Sequence, residues 1–81
     1  MPTVRLDDVD GYRFFFYSNE NAEPAHVHVS KDRHVAKFWL SRVSLAVSHG
    51  FTARDLRTIE GLVEAHQVEI EEAWHEHFRA I

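Results

Sequence analysis

Seven histidines occur in 81 residues, and two of them lie in the stretch E-P-A-H-V-H-V from Glu23 to Val29. His26 and His28 alternate with Val27 and Val29, which is the pattern of a strand. Residues two apart on a strand emerge on one face, about 6–7 Å apart at the base. From there two imidazoles can converge on one metal ion, with nitrogens about 2 Å from it. They can also pass protons, because histidine gains and loses a proton near neutrality. His75 and His77 have the same spacing in a stretch that reads as helix. Two residues there are rotated by about 200 degrees, so that pair cannot share an ion.

Each chemistry needs further groups. A metal centre needs a third ligand beside His26 and His28, and the candidates are Glu23, His34 and His49, none singled out by its spacing. The chain has no cysteine, so no thiolate can serve. The expectation for cofactors is none, or a divalent metal such as zinc. Acid–base chemistry would suit RNA. One histidine would activate a 2′-hydroxyl and the other would protonate the leaving oxygen. Lys37 would steady the phosphorane, Arg13 would hold the backbone and Trp39 would stack on a base. The plainer reading makes His26 and His28 half-exposed strand residues that stack on Trp39 or hydrogen-bond to Glu23. It makes Lys37 a solvated charge and Trp39 a packing residue.

These groups must be placed by strands. G-Y-R-F-F-F-Y follows a turn residue and has strand composition. Tyr12, Phe14 and Phe16 point one way, and Arg13, Phe15 and Tyr17 the other. A strand aromatic on both faces is central, or is covered on its second face by a helix or a partner. S-N-E-N-A-E-P is a turn by composition, A-H-V-H-V-S a strand, K-D-R a short turn and H-V-A-K-F-W-L a third strand. Pairing Val29 with His34 puts Val27, Val29, Ala36, Phe38 and Leu40 on one face. His26, His28, Val35, Lys37 and Trp39 then share the other. A slip of one residue would reverse one strand relative to its neighbour. Arg42 to Ala46 reads as a short fourth strand, and His49-Gly50 as a turn.

From Thr52 onward the spacing is helical. Thr52 is the N-cap, with Asp55 three residues on in capping-box position and Phe51 ahead of it as a staple. Leu56, Ile59, Val63, His66, Ile70, Ala73 and His77 form the apolar stripe, widened by Leu62 and Trp74. One helix of roughly 26 residues would be about 39 Å long, against about 20 Å for the strands. It must overhang the sheet or break, and the candidate break points are Gly61 and His66-Gln67. An overhanging stripe would invite a partner and favour an oligomer.

Composition excludes several classes. From Met1 to Phe51 six basic and six acidic residues cancel. From Thr52 to Ile81 three basic residues face seven acidic ones, which accounts for the whole net charge of −4. Overall acidity argues against strong sequence-independent nucleic-acid binding, although residues 31–42 hold Lys31, Arg33, Lys37 and Arg42 against Asp32 alone. No window approaches the ~20 apolar residues of a membrane span. M-P-T-V-R-L-D-D-V-D-G has no signal-peptide core. The expectation is a soluble cytoplasmic protein. There is no glycine-rich phosphate loop and no nucleophile elbow.

Three stretches carry a resemblance: G-Y-R-F-F-F-Y-S-N-E-N-A-E-P-A-H-V-H-V, A-K-F-W-L, and the helical G-F-T-A-R-D-L-R-T-I-E-G-L-V-E-A-H-Q-V-E-I-E-E-A-W-H-E-H-F. Together they resemble a family of small bacterial proteins catalogued as domain of unknown function four-one-six-zero. The matching residues are Phe14, Phe16, Ser18, Glu20, Glu23, Pro24, His26, His28, Lys37 and Trp39. Where the resemblance implies a glycine-containing turn after H-V-H-V, this chain has Ser30-Lys31-Asp32-Arg33-His34. The resemblance implies a component of a toxin–antitoxin-like pair, with a small protein partner and a role related to nucleic acid.

The expected fold is α+β: an antiparallel meander of three or four strands within about residues 12–46, then one long or two shorter C-terminal helices over about 53–78, packed on one face, in a single domain of residues 1–81. The expected function is one half of a toxin–antitoxin-like pair, acting through a protein partner or as a homo-oligomer, with RNA-directed activity at His26 and His28. The alternatives are a metal-binding module built on His26, His28 and Glu23, and a non-catalytic interaction domain.

Overall fold

The computed structural model describes residues 3–6, 8–17 and 22–79. Five strands, β1 (Thr3–Arg5), β2 (Arg13–Tyr17), β3 (His26–Lys31), β4 (His34–Trp39) and β5 (Ser44–His49), precede two helices, α1 (Ala53–Ala65) and α2 (Gln67–Arg79). The strands form one sheet in the order β1-β2-β3-β4-β5, with every neighbouring pair antiparallel. The α+β meander with two shorter helices is therefore present, and it is longer than expected at both edges. β1 lies ahead of residue 12, and β5 runs on to His49. Three residues are too few to show a period, so β1 is set by its pairing, Val4 opposite Phe16. The hairpin that brings it there is closed by Asp10-Gly11, both at positive φ (50° and 84°), with Val9 and Tyr12 exchanging two backbone hydrogen bonds. Asp-Gly is the residue pair such a turn favours.

Alternation builds the core. Tyr12, Phe14, Val27, Val29, Ala36, Phe38 and Leu40 from one face of the sheet cluster with Ile59, Val63 and Ile70 from the helices. Phe16 is also fully buried and packs on Trp74, with ring centroids 5.1 Å apart. A side chain of that size contributes roughly 1.5–3 kcal/mol when it leaves water. The pairing of β3 and β4 differs from expectation in one respect. Val29 lies opposite Ala36, and His34 lies opposite Lys31. The shift is two residues, an even number, so each side chain keeps its expected face. Asp32 takes the tight turn at φ 56°, the left-handed conformation a glycine would otherwise supply.

The helical stretch breaks at His66. Thr52 caps α1 with the full capping box: its hydroxyl accepts from the Asp55 amide, and the Asp55 carboxylate accepts from the Thr52 amide. At His66 the backbone leaves helical geometry (φ −113°, ψ 15°). Gln67 then starts α2, and its side-chain amide donates to the carbonyl of Leu40, a fully buried residue at the end of β4. Each helix of 13 residues is about 20 Å long, the length of a six-residue strand. The break therefore replaces the overhang. No helix among the described residues is long and apolar enough to cross a membrane.

Two substitutions test this account. Gly50 sits at φ +94°, and a Cβ there would stand 2.5 Å from the His34 ring. Gly50→Ala is expected to cost about 1–3 kcal/mol in chemical denaturation. Adding His34→Ala should recover the steric part and leave roughly 1–2 kcal/mol from the backbone. Gln67→Leu, which leaves the Leu40 carbonyl without its side-chain donor, is expected to lose about 1–3 kcal/mol. No loss would show that α2 does not depend on that anchor.

Candidate functional site: the helix-free face of the sheet

Because α1 and α2 both pack on the face that carries Phe14, Val29 and Phe38, the opposite face of β2, β3 and β4 presents Arg13, Phe15, Tyr17, His28, Lys37 and Trp39. Register brings them together. Phe15 lies opposite His28, His28 opposite Lys37, and Trp39 opposite His26. The rings form a continuous array. Phe15 stacks on His28 at 5.3 Å with 19° between the planes. Tyr17 meets His28 edge-on at 5.0 Å and Phe15 at 5.6 Å. His28 meets His26 at 5.2 Å, and His26 meets Trp39 at 5.8 Å. Phe15, Tyr17, His28, Lys37 and Trp39 all keep partial exposure, and Arg13 is exposed.

His26 behaves differently from His28. It has no accessible surface, although alternation puts it on the open face. It is the first residue of β3, and Trp74 of α2 reaches it, with ring centroids 4.7 Å apart. His26 Nδ1 lies 2.9 Å from the carbonyl oxygen of Pro24. A carbonyl can only accept, so Nδ1 donates there, and a neutral His26 keeps its second nitrogen unprotonated. The two imidazoles are thus neighbours, as the spacing led one to expect, but only His28 reaches solvent. Trp74, some fifty positions away in sequence, makes that difference.

Lys37 and Glu23 close one side of the array. The ammonium of Lys37 is 2.5 Å from a Glu23 carboxylate oxygen and lies over the Trp39 ring, 4.7 Å from its centroid. The same Glu23 oxygen is 3.8 Å from His26 Nδ1. Glu23 is therefore engaged by a cation. Among the described residues no group of three or more His, Asp or Glu side chains is arranged to hold a metal ion. His34 lies at the other end of β4, against Phe51 at 5.3 Å, and His49 pairs with Val35. His75 is exposed, whereas His77 packs on Phe16 at 5.9 Å, so that pair does diverge. His66, on the helical stripe, is half-buried and 3.6 Å from Glu69. Ser18 and Glu20, which carry part of the family pattern, lie outside the described residues.

Two features escaped the sequence reading. The contact of Trp74 with His26 joins positions that no local pattern links. The contact of Phe15 and Tyr17 with His28 was signalled by the F-F-F-Y run, but only the register of β2 against β3 supplies it. The array is an open surface. A cleft of about 380 Å³ lies elsewhere, lined by Leu6, Asp8, Val9, Phe14, His66, Glu69 and Ile70.

No curated protein and no solved structure was found to match this sequence. A family model does match, over residues 11–75, from the turn before β2 into α2, and its description is a domain of unknown function, DUF4160. The chain belongs to that family.

Proposed function

We infer that the helix-free face binds single-stranded RNA, in a protein that acts as one half of a toxin–antitoxin-like pair through a protein partner. The observation that carries this reading is the ring array of Phe15, Tyr17, His28 and Trp39, left partly exposed on an open sheet. Successive bases stack on such platforms whatever their identity, and each stack is worth about 1–3 kcal/mol. An extended ligand suits an open surface better than a small molecule, which would need a pocket. Charge supports the same orientation. Arg13 and Lys37 belong to the open face, whereas the exposed acids Glu64, Glu69, Glu72 and Glu76 lie on the helices that cover the other side. The net charge of −4 therefore does not fall on the ring array.

Binding is the activity these residues support first. Cleavage by paired histidines needs two proton carriers in reach of the substrate, and His26 has no accessible surface. In this reading His28 touches the ligand and Lys37 offsets phosphate charge. His26 positions both His28 and Trp39 through ring contacts.

The test is fluorescence anisotropy with labelled single-stranded RNA across a salt series. Wild-type protein should bind with an affinity that falls as salt rises. Trp39→Ala should weaken binding about five- to hundredfold, the equivalent of one lost stack. Glu23→Gln, which releases Lys37, should strengthen it. Absence of binding at low salt, or a Trp39→Ala variant that binds as wild type does, would sink the reading. A zinc titration that raised the Tm of wild type but not of His28→Ala would favour the metal-binding module instead. Denaturing gels of the same labelled RNA after incubation would reveal cleavage by its loss in His28→Ala.

The two histidines should separate in stability as well. His26→Ala empties a fully buried site and is expected to cost about 2–4 kcal/mol, more than ~10 °C in Tm for a domain of this size. His28→Ala should cost under about 1 kcal/mol. Equal losses in thermal melts would contradict the division of roles.

A further inference from the structure

Lys37 belongs to the helix-free face, yet its side chain is only 18% exposed. Two groups cover it. Trp39, two residues on along β4, shares its face, and the Lys37 ammonium lies over the indole ring, 4.7 Å from the centroid. Glu23 meets the same ammonium at 2.5 Å. Register accounts for the meeting. Lys37 lies opposite His28, and Trp39 lies opposite His26, which follows Glu23 by three positions. The stretch E-P-A-H fixes where the carboxylate stands. Proline holds its own φ near −65°, and the Pro24 carbonyl accepts from Nδ1 of the sealed His26. Glu23 therefore approaches Lys37 from a backbone tied to the buried start of β3.

Each of these contacts takes the place of a ligand contact. A carboxylate oxygen on a lysine ammonium stands where a phosphate oxygen would stand. An ammonium over an indole stands where a base would stack, since both are drawn to the same π face. A base on that ring face and a phosphate on Lys37 therefore both require Lys37 to leave Glu23, and one rotation of the lysine side chain serves both. The contacts are of a size that a ligand can reverse. The Glu23 side chain is 47% exposed, so water screens the pair, and such pairs shift an equilibrium by about two- to fivefold.

We propose that Glu23 and Lys37 form a latch over Trp39. The free protein holds one face of the ring covered and the cation neutralised, and a phosphate-bearing strand opens the site by taking Lys37 from Glu23. The proposal rests on the reading of this face as an RNA-binding surface and adds its regulation. It also says which ligands the latch favours. A molecule that offers only a ring, or only an anion, gains one contact and must still break the pair. A nucleotide chain offers both at once.

Side-chain NMR of the full chain reads the latch without RNA. The Lys37 Hδ and Hε protons should be displaced upfield by the Trp39 ring current in wild type. In Glu23→Gln they should return toward ordinary lysine shifts while the backbone spectrum keeps its folded dispersion. Anisotropy with labelled oligouridine then reads the competition. Glu23→Gln should bind about two- to fivefold more tightly than wild type, and the gain should vanish in a Lys37→Met background. Ordinary Lys37 shifts in wild type, or shifts unmoved by Glu23→Gln, would overturn the latch. So would equal affinities of wild type and Glu23→Gln, or a gain that persists without Lys37, which would make Glu23 a distant repelling charge. Failure of every variant to bind oligouridine would instead sink the RNA reading, and the latch with it, even where the lysine shifts follow expectation.

Discussion

Two helices of 13 residues can cover one face of a five-stranded sheet and no more. Strands about 4.8 Å apart make a sheet roughly 24 Å wide, and two helices at about 10 Å each nearly fill that width once. This constraint governs the rest of the molecule. It commits Phe14, Phe16, Val27, Val29, Ala36, Phe38 and Leu40 to the covered face, and it leaves the alternate residues of the same strands outward. The aromatic residues of β2 fall on both sides of that division, so one set builds the core while Phe15 and Tyr17 remain partly in water.

The place where the two faces communicate is Trp74. It packs on Phe16 at 5.1 Å and on His26 at 4.7 Å. Phe16 belongs to the core face, and His26 is in ring contact with His28 and Trp39 of the open face. A single side chain from α2 therefore links the helix layer to the ring array. Its position follows from the break at His66 and the hydrogen bond from Gln67 to Leu40, which together set where α2 begins. The open face is thus supported from behind by the same contacts that seal the core.

Much of the fold was legible in the sequence, and particular residues show why. The alternation in H-V-H-V and A-K-F-W-L assigns faces without knowledge of the exact pairing, because a two-residue error in register preserves the pleat. The capping box at Thr52 and Asp55 is local, so it survives any tertiary arrangement. β1 was not legible from its own three residues, although Asp10-Gly11 marked its turn. The candidate site was legible as a set of residue types on one face. Which member is buried was not, since periodicity ranks His26 and His28 alike.

The sequence by itself determined the α+β class, the two faces of the meander, the helical cap and the membership of His28, Lys37 and Trp39 in one surface. These depend on periods of two and of 3.6 residues and on short-range hydrogen bonds, all of which are written within a few positions. Tertiary structure decided that His26 is sealed while His28 is open, that Glu23 holds Lys37, and that the helix breaks at His66 rather than at Gly61. Those outcomes depend on which side chains meet after strands and helices assemble, and a chain read one position at a time carries no distance between Trp74 and His26.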